Sequence, residues 1–428
     1  MKLAWKARGG TGEGSPSPTL APFKHRIFLA IWLASLVSNF GSLIQGVGAS
    51  WLMTSIAPTA DMVALVQAST SLPIMLLSLP AGALADAFDR RYVMLAAQIL
   101  MFVVSATLAA VAFAGIITPW LLLLLTFLIG CGAALNGPAW QASVREQVPM
   151  DDIPAAVALN SLGFNIARTV GPAIGGVLVA AAGPPLTFLV NVFTYVGLVG
   201  VLIAWKRPAE PRDLPPESLL PGIASGLRYA FLSPLIRVAL IRSAAFSIGS
   251  GAIWALMPLI ARDLIGGGPL VFGTLLGCFG TGAVLGALVS TRLRDALSTE
   301  GLVSAATFAF AVATALAAIS HTLPLTGAAL LLGGGAWVLA LSTFNVTVQM
   351  SSSRWVVGRA MATYQSVTFG ALAIGSWLWG TLAHLFTLPV ALLCAAGVLL
   401  AGLLLRFVAR LPSHARLDLT PSGAWAEP

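Results

Sequence analysis

Residues 119–140 read PWLLLLLTFLIGCGAALNGPAW, a run without one charged side chain. A helix that crosses a bilayer needs about 20 predominantly apolar residues, and this run supplies them. Working outward from it, apolar runs bounded by Pro, Gly and charge predict twelve spans. In the first half they are 27–52, 62–84, 92–114, 119–140, 155–182 and 184–204. In the second half they are 237–261, 269–291, 301–320, 324–348, 359–384 and 387–409. The whole chain agrees with this reading. Of its 428 residues 58% are hydrophobic and 9% charged, and mean hydropathy is +0.92. Soluble domains carry about 25% charged residues, so this surface is not made for water. The runs are continuous rather than alternating, which excludes an outer-membrane barrel. A soluble enzyme, a disulfide scaffold and a coiled coil are excluded on the same composition. Cys131, Cys278 and Cys394 all sit inside apolar runs and imply neither disulfides nor a metal cluster.

A net charge of +8 invites a nucleic-acid reading, but its distribution says otherwise. With the N-terminus inside, every Lys and Arg except Arg168 and Arg262 falls in a cytoplasmic tail, turn or span edge. That is the positive-inside bias of a multi-pass membrane protein, and it checks the span count, since one missed span would scatter the cations. Both termini are expected in the cytoplasm, and the inner membrane is the expected location. Residues 1–26 read as a solvated tail rather than a cleaved signal, because Met1 to Lys24 has no apolar core. The expected units are a half at 27–204, a connecting loop at 205–236, a half at 237–409 and a tail at 410–428. Within the loop, Leu220, Ile223, Leu227 and Phe231 recur at near-helical spacing and predict a short interfacial helix.

The halves repeat. Gly82-Ala83-Leu84 matches Gly286-Ala287-Leu288, and Arg90 then falls on Arg294. Asn160-Ser161 matches Gln365-Ser366, and Gly175 matches Gly380. Two six-span repeats with a solute site at the midplane between them are a transporter architecture.

The turn after the second span reads Gly82-Ala83-Leu84-Ala85-Asp86-Ala87-Phe88-Asp89-Arg90-Arg91. Here the sequence resembles the major facilitator superfamily, whose pattern at this turn is Gly-x-Leu-Ala-Asp-x-x-Gly-Arg-Arg/Lys. Asp89 stands where glycine is usual, a variant similar to the drug and siderophore exporter branch of enterobactin-exporter and macrolide-efflux type. Arg168-Thr169-Val170-Gly171-Pro172-Ala173-Ile174-Gly175-Gly176 resembles the helix-5 element of the antiporter groups, with Ala167 where that element has a further glycine. The resemblance implies the all-α major facilitator fold, with Gly82, Asp86, Asp89, Arg90, Arg91 and Arg294 in the conformational switch. In this reading Arg90 and Arg91 hold the Asp86 carboxylate against the start of span 11. Gly171, Pro172, Gly175 and Gly176 form the antiporter-like element.

The residues themselves mark a transport path. Arg168 lies near the middle of span 5, where an ionisable side chain marks a pathway or a structural tie. Ser35, Ser38, Asn39, Ser42 and Gln45 share one face of span 1; they line a cavity or bond a neighbouring helix. Asn39, Gln45, Asn136, Asn160, Arg168, Trp254, Tyr364 and Gln365 are the candidate cavity residues. Amides, hydroxyls and aromatics with one cation suit an amphipathic or weakly anionic solute. No Asp or Glu falls within a predicted span, so no proton carrier is visible; His321 and His384 lie at outer span ends. The glycine-rich stretches lack the Gly-Lys-Ser/Thr ending of a phosphate loop. No metal spacing or nucleotide module appears, so no cofactor and no enzymatic activity are expected. The expected function is proton-coupled export of a small molecule by a monomer in the bilayer, without nucleic acid. An importer or facilitator is the alternative, and a membrane enzyme or a non-transporting scaffold lies further off.

Overall fold

A computed structural model describes residues 18–205, 227–353 and 356–412. Twelve helices among them are long and apolar enough to cross a membrane. In the first half these are α1 (Arg26–Ile56), α2 (Ala60–Ala87), α3 (Arg90–Phe113), α4 (Pro119–Ser143), α5 (Ile153–Ala182) and α6 (Pro184–Ala204). In the second they are α7 (Pro234–Leu259), α8 (Pro269–Ala296), α9 (Thr299–Ile319), α10 (Leu323–Met350), α11 (Val357–Leu385) and α12 (Leu388–Val408). Every predicted span falls on one of them. Of the expected interfacial helix, 227–232 is helical and the remainder lies outside the described residues.

Local chemistry sets the ends. Proline opens α4, α6, α8, α10 and α12 within the first two positions, where its missing N–H costs nothing. Asp89, Thr118, Ser298 and Thr387 cap α3, α4, α9 and α12 with side-chain oxygens, satisfying N–H groups that have no helical partner. Gly183, at φ +80°, makes the tight α5–α6 turn that an L side chain resists.

The ends also carry the acids. Helices run up to five residues past the apolar runs, so Asp61, Asp86, Asp295 and Glu300 lie at helix ends, outside the predicted spans. The runs end where hydropathy falls, but hydrogen bonding carries each helix on to its cap.

The two halves pack alike. In the first, α1 packs on α5 and α6, α4 on α2 and α3, and α3 on α6. In the second, α7 packs on α11 and α12, α10 on α8 and α9, and α9 on α12. The halves meet mainly along two seams, α2–α11 and α5–α8, which the repeat relates to each other. Small residues carry both the internal contacts and the seams. On α5, Gly163, Gly171 and Gly175 face Trp32, Leu43 and Val47 of α1. Ala167 lies fully buried in the same row, so it serves the packing that the missing glycine would. Gly176 turns to the other half, against Gly273 of α8. On α11, Gly375 lies against Ile248 of α7, and Gly380 crosses to Asp61 and Ala64 of α2. Each seam helix thus spends one glycine on its own half and one on the other.

A candidate substrate site between the halves

The side carrying the cationic turns is called the basic side here, and the other the opposite side. On the opposite side the halves are shut. Gly176 and Gly273 stand so close that a Cβ on Gly273 would fall 2.8 Å from the Gly176 Cα. Trp51 stacks on Phe272 with ring centroids 6.2 Å apart. Arg262, gripped by Asp263 through two N–H···O bonds of 2.6 and 3.0 Å, donates across the seam to the Thr54 carbonyl. That carbonyl is one of the unpaired groups at the C-terminal end of α1, where a cation is favoured. Toward the basic side the seams differ. The α2–α11 seam continues to Ser78, whose Oγ lies 2.6 Å from that of Ser366. The hydroxyl of Ser161, the repeat mate of Ser366, donates to the Val157 carbonyl of its own helix, and the residue is exposed. The glycine contacts on the α5–α8 seam run from Gly280 toward the opposite side, and Leu285 and Leu288 on the basic-side turns of α8 are exposed. The halves are therefore closed on the opposite side.

Arg168 stands at mid-seam. Pro172 lacks an N–H, so the Arg168 carbonyl four residues earlier loses its helical donor. Gly280 of α8 sits over that carbonyl, and a Cβ there would fall 3.0 Å from the oxygen. The proline and the facing glycine thus bring the two halves together at this turn. The Arg168 side chain reaches into the second half, its guanidinium carbon 4.3 Å from the Trp337 ring centroid and 5.5 Å from that of Trp254. The two indoles lie 5.5 Å apart, and Phe279 packs edge-on against both, 5.0 Å from Trp254 and 6.2 Å from Trp337. A cation on an aromatic face is worth about 0.5–1 kcal/mol when exposed and about 2 when desolvated. No ion-pair partner of Arg168 is present among the described residues.

The other expected site residues divide. Asn39, Asn136, Asn160 and Gln365 are half-buried, and the Oδ1 atoms of Asn136 and Asn160 are buried without a hydrogen-bond partner. Gln45 and Tyr364 do not line a cleft. Gln45 accepts a 2.8 Å bond from Asn191 of α6, and Ser42 lies 3.3 Å from the Tyr195 hydroxyl. This part of the α1 stripe bonds a neighbour, because Gly41 and Gly48 let α6 come close. Tyr364 donates to the Leu341 carbonyl at 3.1 Å, inside the second half.

The motif turn has partners within the first half. Asp89 caps α3 by accepting the Arg91 N–H at 2.9 Å, which gives the unusual residue a local reason. Arg90 binds Glu146 at 2.7 Å and the Ala142 carbonyl at 3.3 Å, tying α3 to the end of α4. Arg91 donates to the Leu202 and Ile203 carbonyls at 2.7 and 2.8 Å, closing the end of α6. These contacts tie both arginines to helix ends of their own half. Arg294 bonds Ser342 of α10 at 2.9 Å, so both repeat mates reach the equivalent helix. A Cβ on Gly82 would meet nothing. Asp86 belongs to α2, and its side chain lies outside the described residues.

Two features escaped the sequence. Trp337 was one of 12 tryptophans, though it follows Gly334 and Gly335, which press α10 against α8. Arg242 and Glu300 form a buried pair at 2.9 Å, yet each reads in the sequence as a charge at a span's edge.

If the glycine contact closes the opposite side, Gly273→Val should hold it open. Spin labels at Ala182 and Leu270, across that end of the seam, should report longer distances; an unchanged distribution would remove Gly273 from the closure.

Two pseudo-symmetric six-helix bundles meeting along two seams, with a cation at mid-seam, have the architecture of a major facilitator transporter. Comparison with known proteins agrees. The family model described as transmembrane secretion effector matches residues 17–428, and the chain belongs to that family. It is 26% identical over 405 residues to the multidrug efflux pump Tap of Mycobacterium tuberculosis, covering 92% of this chain and 95% of that one. It is 26% identical over 399 residues to the enterobactin exporter EntS of Escherichia coli O1:K1, covering 90% and 92%. Among solved structures, a nucleoside transporter NupG variant superposes with a TM-score of 0.72 at 14% identity, covering 90% of this chain and 99% of that one. That likeness concerns the fold. The protein is a multi-pass membrane transporter of small-molecule solutes.

Proposed function

We propose that this chain exports a small amphipathic molecule by alternating access, driven by a proton gradient. It works as a monomer in the inner membrane with both termini in the cytoplasm. The observation that carries the reading is Arg168, a cation of one half seated on Trp337 and Trp254 of the other at the middle of the seam. Such a contact must rearrange whenever the halves rock, so a solute that engages it is sensed by both. The halves at 27–204 and 237–409 move as units joined by 205–236. Asn39, Asn136, Asn160, Trp254 and Gln365 complete the cleft, and the small residues Gly171, Pro172, Gly175 and Gly176 form its hinge side. The turn at 82–91 and Arg294 act in the switch between states. The printed names of Tap and EntS support export, and the placement of Lys and Arg supports the orientation.

Flux into inside-out vesicles under an imposed pH gradient tests the proposal, across a panel of drugs and siderophores. Uptake should follow an inside-acid gradient and stop when the gradient is dissipated. Movement only down the solute's own gradient, unaffected by pH, would make the protein a facilitator instead.

A further inference from the structure

The mid-seam site is rich in hydrogen-bond donors and has no anion of its own. A guanidinium has five N–H donors and no acceptor. When it lies over an indole face those donors remain at its edge, in a fork that matches a carboxylate. Among the described residues Arg168 has aromatic partners only. Beside it, the Trp254 indole N–H is buried and without a hydrogen-bond partner. The carboxylates of the described ion pairs are engaged by His25, Arg90, Arg242 and Arg262, all away from this turn. The group that best meets a guanidinium fork is an acceptor of opposite charge, a carboxylate. The surrounding walls are the faces of Trp337 and Trp254, with Phe279 behind them. Apolar walls around one cationic fork select a molecule with a planar apolar body and a single acidic end. The same walls give a positively charged amphipath no counter-charge, and they place it against Arg168.

We infer that the substrate of this transporter is an acidic amphipath, whose carboxylate takes the free edge of Arg168 while its apolar body lies against Trp254 and Trp337. The inference rests on the mid-seam cleft being the solute site. It narrows the substrate class to carboxylate-bearing molecules and excludes cationic drugs as preferred cargo.

Three compounds of one shape test it: 2-naphthoate, its neutral amide 2-naphthamide, and 2-naphthylmethylamine, which is cationic at pH 7. Calorimetric titration of the purified full-length protein should show the acid binding at least tenfold more tightly than the amide, with the amine weakest. Arg168→Gln should bring the acid down to near the amide's affinity, collapsing the ratio between them. Arg168→Lys, which keeps the charge and loses the fork, should give an intermediate ratio and serves if the glutamine variant does not fold. An acid-to-amide ratio near one in the wild type, tighter binding of the amine, or a ratio unchanged in the Arg168 variants would each overturn the inference. Flux of the same three compounds in vesicles separates this from the export reading. Transport of the amine or the amide in preference to the acid defeats the acidic class and leaves export standing. Arg168-dependent binding of the acid without any flux upholds the acidic class and defeats export.

Discussion

Arg168→Ala should reduce solute flux by tenfold or more while membrane levels of the protein stay at those of the wild type. The expectation follows from what the side chain touches. Its guanidinium is held by aromatic faces of the opposite half, so its removal breaks no ion pair and should spare the fold. What is lost is the charge-assisted contact to a solute, worth about 1.5–3 kcal/mol, and 1.4 kcal/mol is a factor of ten in an equilibrium. Vesicle flux and immunoblotted membrane fractions measure the two quantities separately. Wild-type flux in the variant would remove Arg168 from the transport path, and lost expression with normal flux per molecule would make it a packing residue.

Arg242→Ala should act in the opposite way, on stability rather than on solute. The Glu300 carboxylate accepts Arg242 Nη2 at 2.9 Å, the Leu411 N–H at 2.9 Å and the Ser304 hydroxyl at 3.3 Å. The two charged side chains are only 3% and 8% exposed. One acid thus joins α7, α9 and the segment after α12. Removing one member of a buried pair strands the other, at a cost of about 3–5 kcal/mol. The melting temperature in detergent should fall sharply for Arg242→Ala and for Glu300→Ala. Replacing both together, Arg242→Met with Glu300→Leu, should recover most of the loss, because buried pairs often match apolar residues of similar volume. Single variants as stable as the wild type would show that the pair contributes nothing.

The helices were legible because hydropathy alone places a span, and the charged turns confirm the count. The repeat was legible from Gly82 and Gly286, although those two glycines have different surroundings: nothing lies near Gly82, while Gly286 is pressed on Gly335. Helix ends were less legible, since caps such as Ser298 extend a helix past its apolar run and bring Glu300 inside. The site was half legible. Arg168 announces itself as the one cation at mid-span, but nothing in the sequence says that Trp337, 169 positions later, lies over it. Gln45 misled for the same reason. A polar stripe on one helix face is the same in sequence whether it meets a cleft or Asn191, and only the packing of α1 on α6 decides. Asp89 departs from the superfamily's pattern, yet its role is local and follows from its place one residue before a helix.

Inter-spin distances across the two faces of the molecule, recorded in one series, test the account most directly. One label pair spans the opposite-side end of the α5–α8 seam, at Ala182 and Leu270; the other spans its basic-side end, at Val157 and Leu288. The solute that the vesicle assay identifies should shift both distributions reciprocally, the first lengthening as the second shortens, and Arg168→Ala should abolish that response. Two distances that lengthen or shorten together, or that ignore the transported solute, would contradict alternating access about this seam.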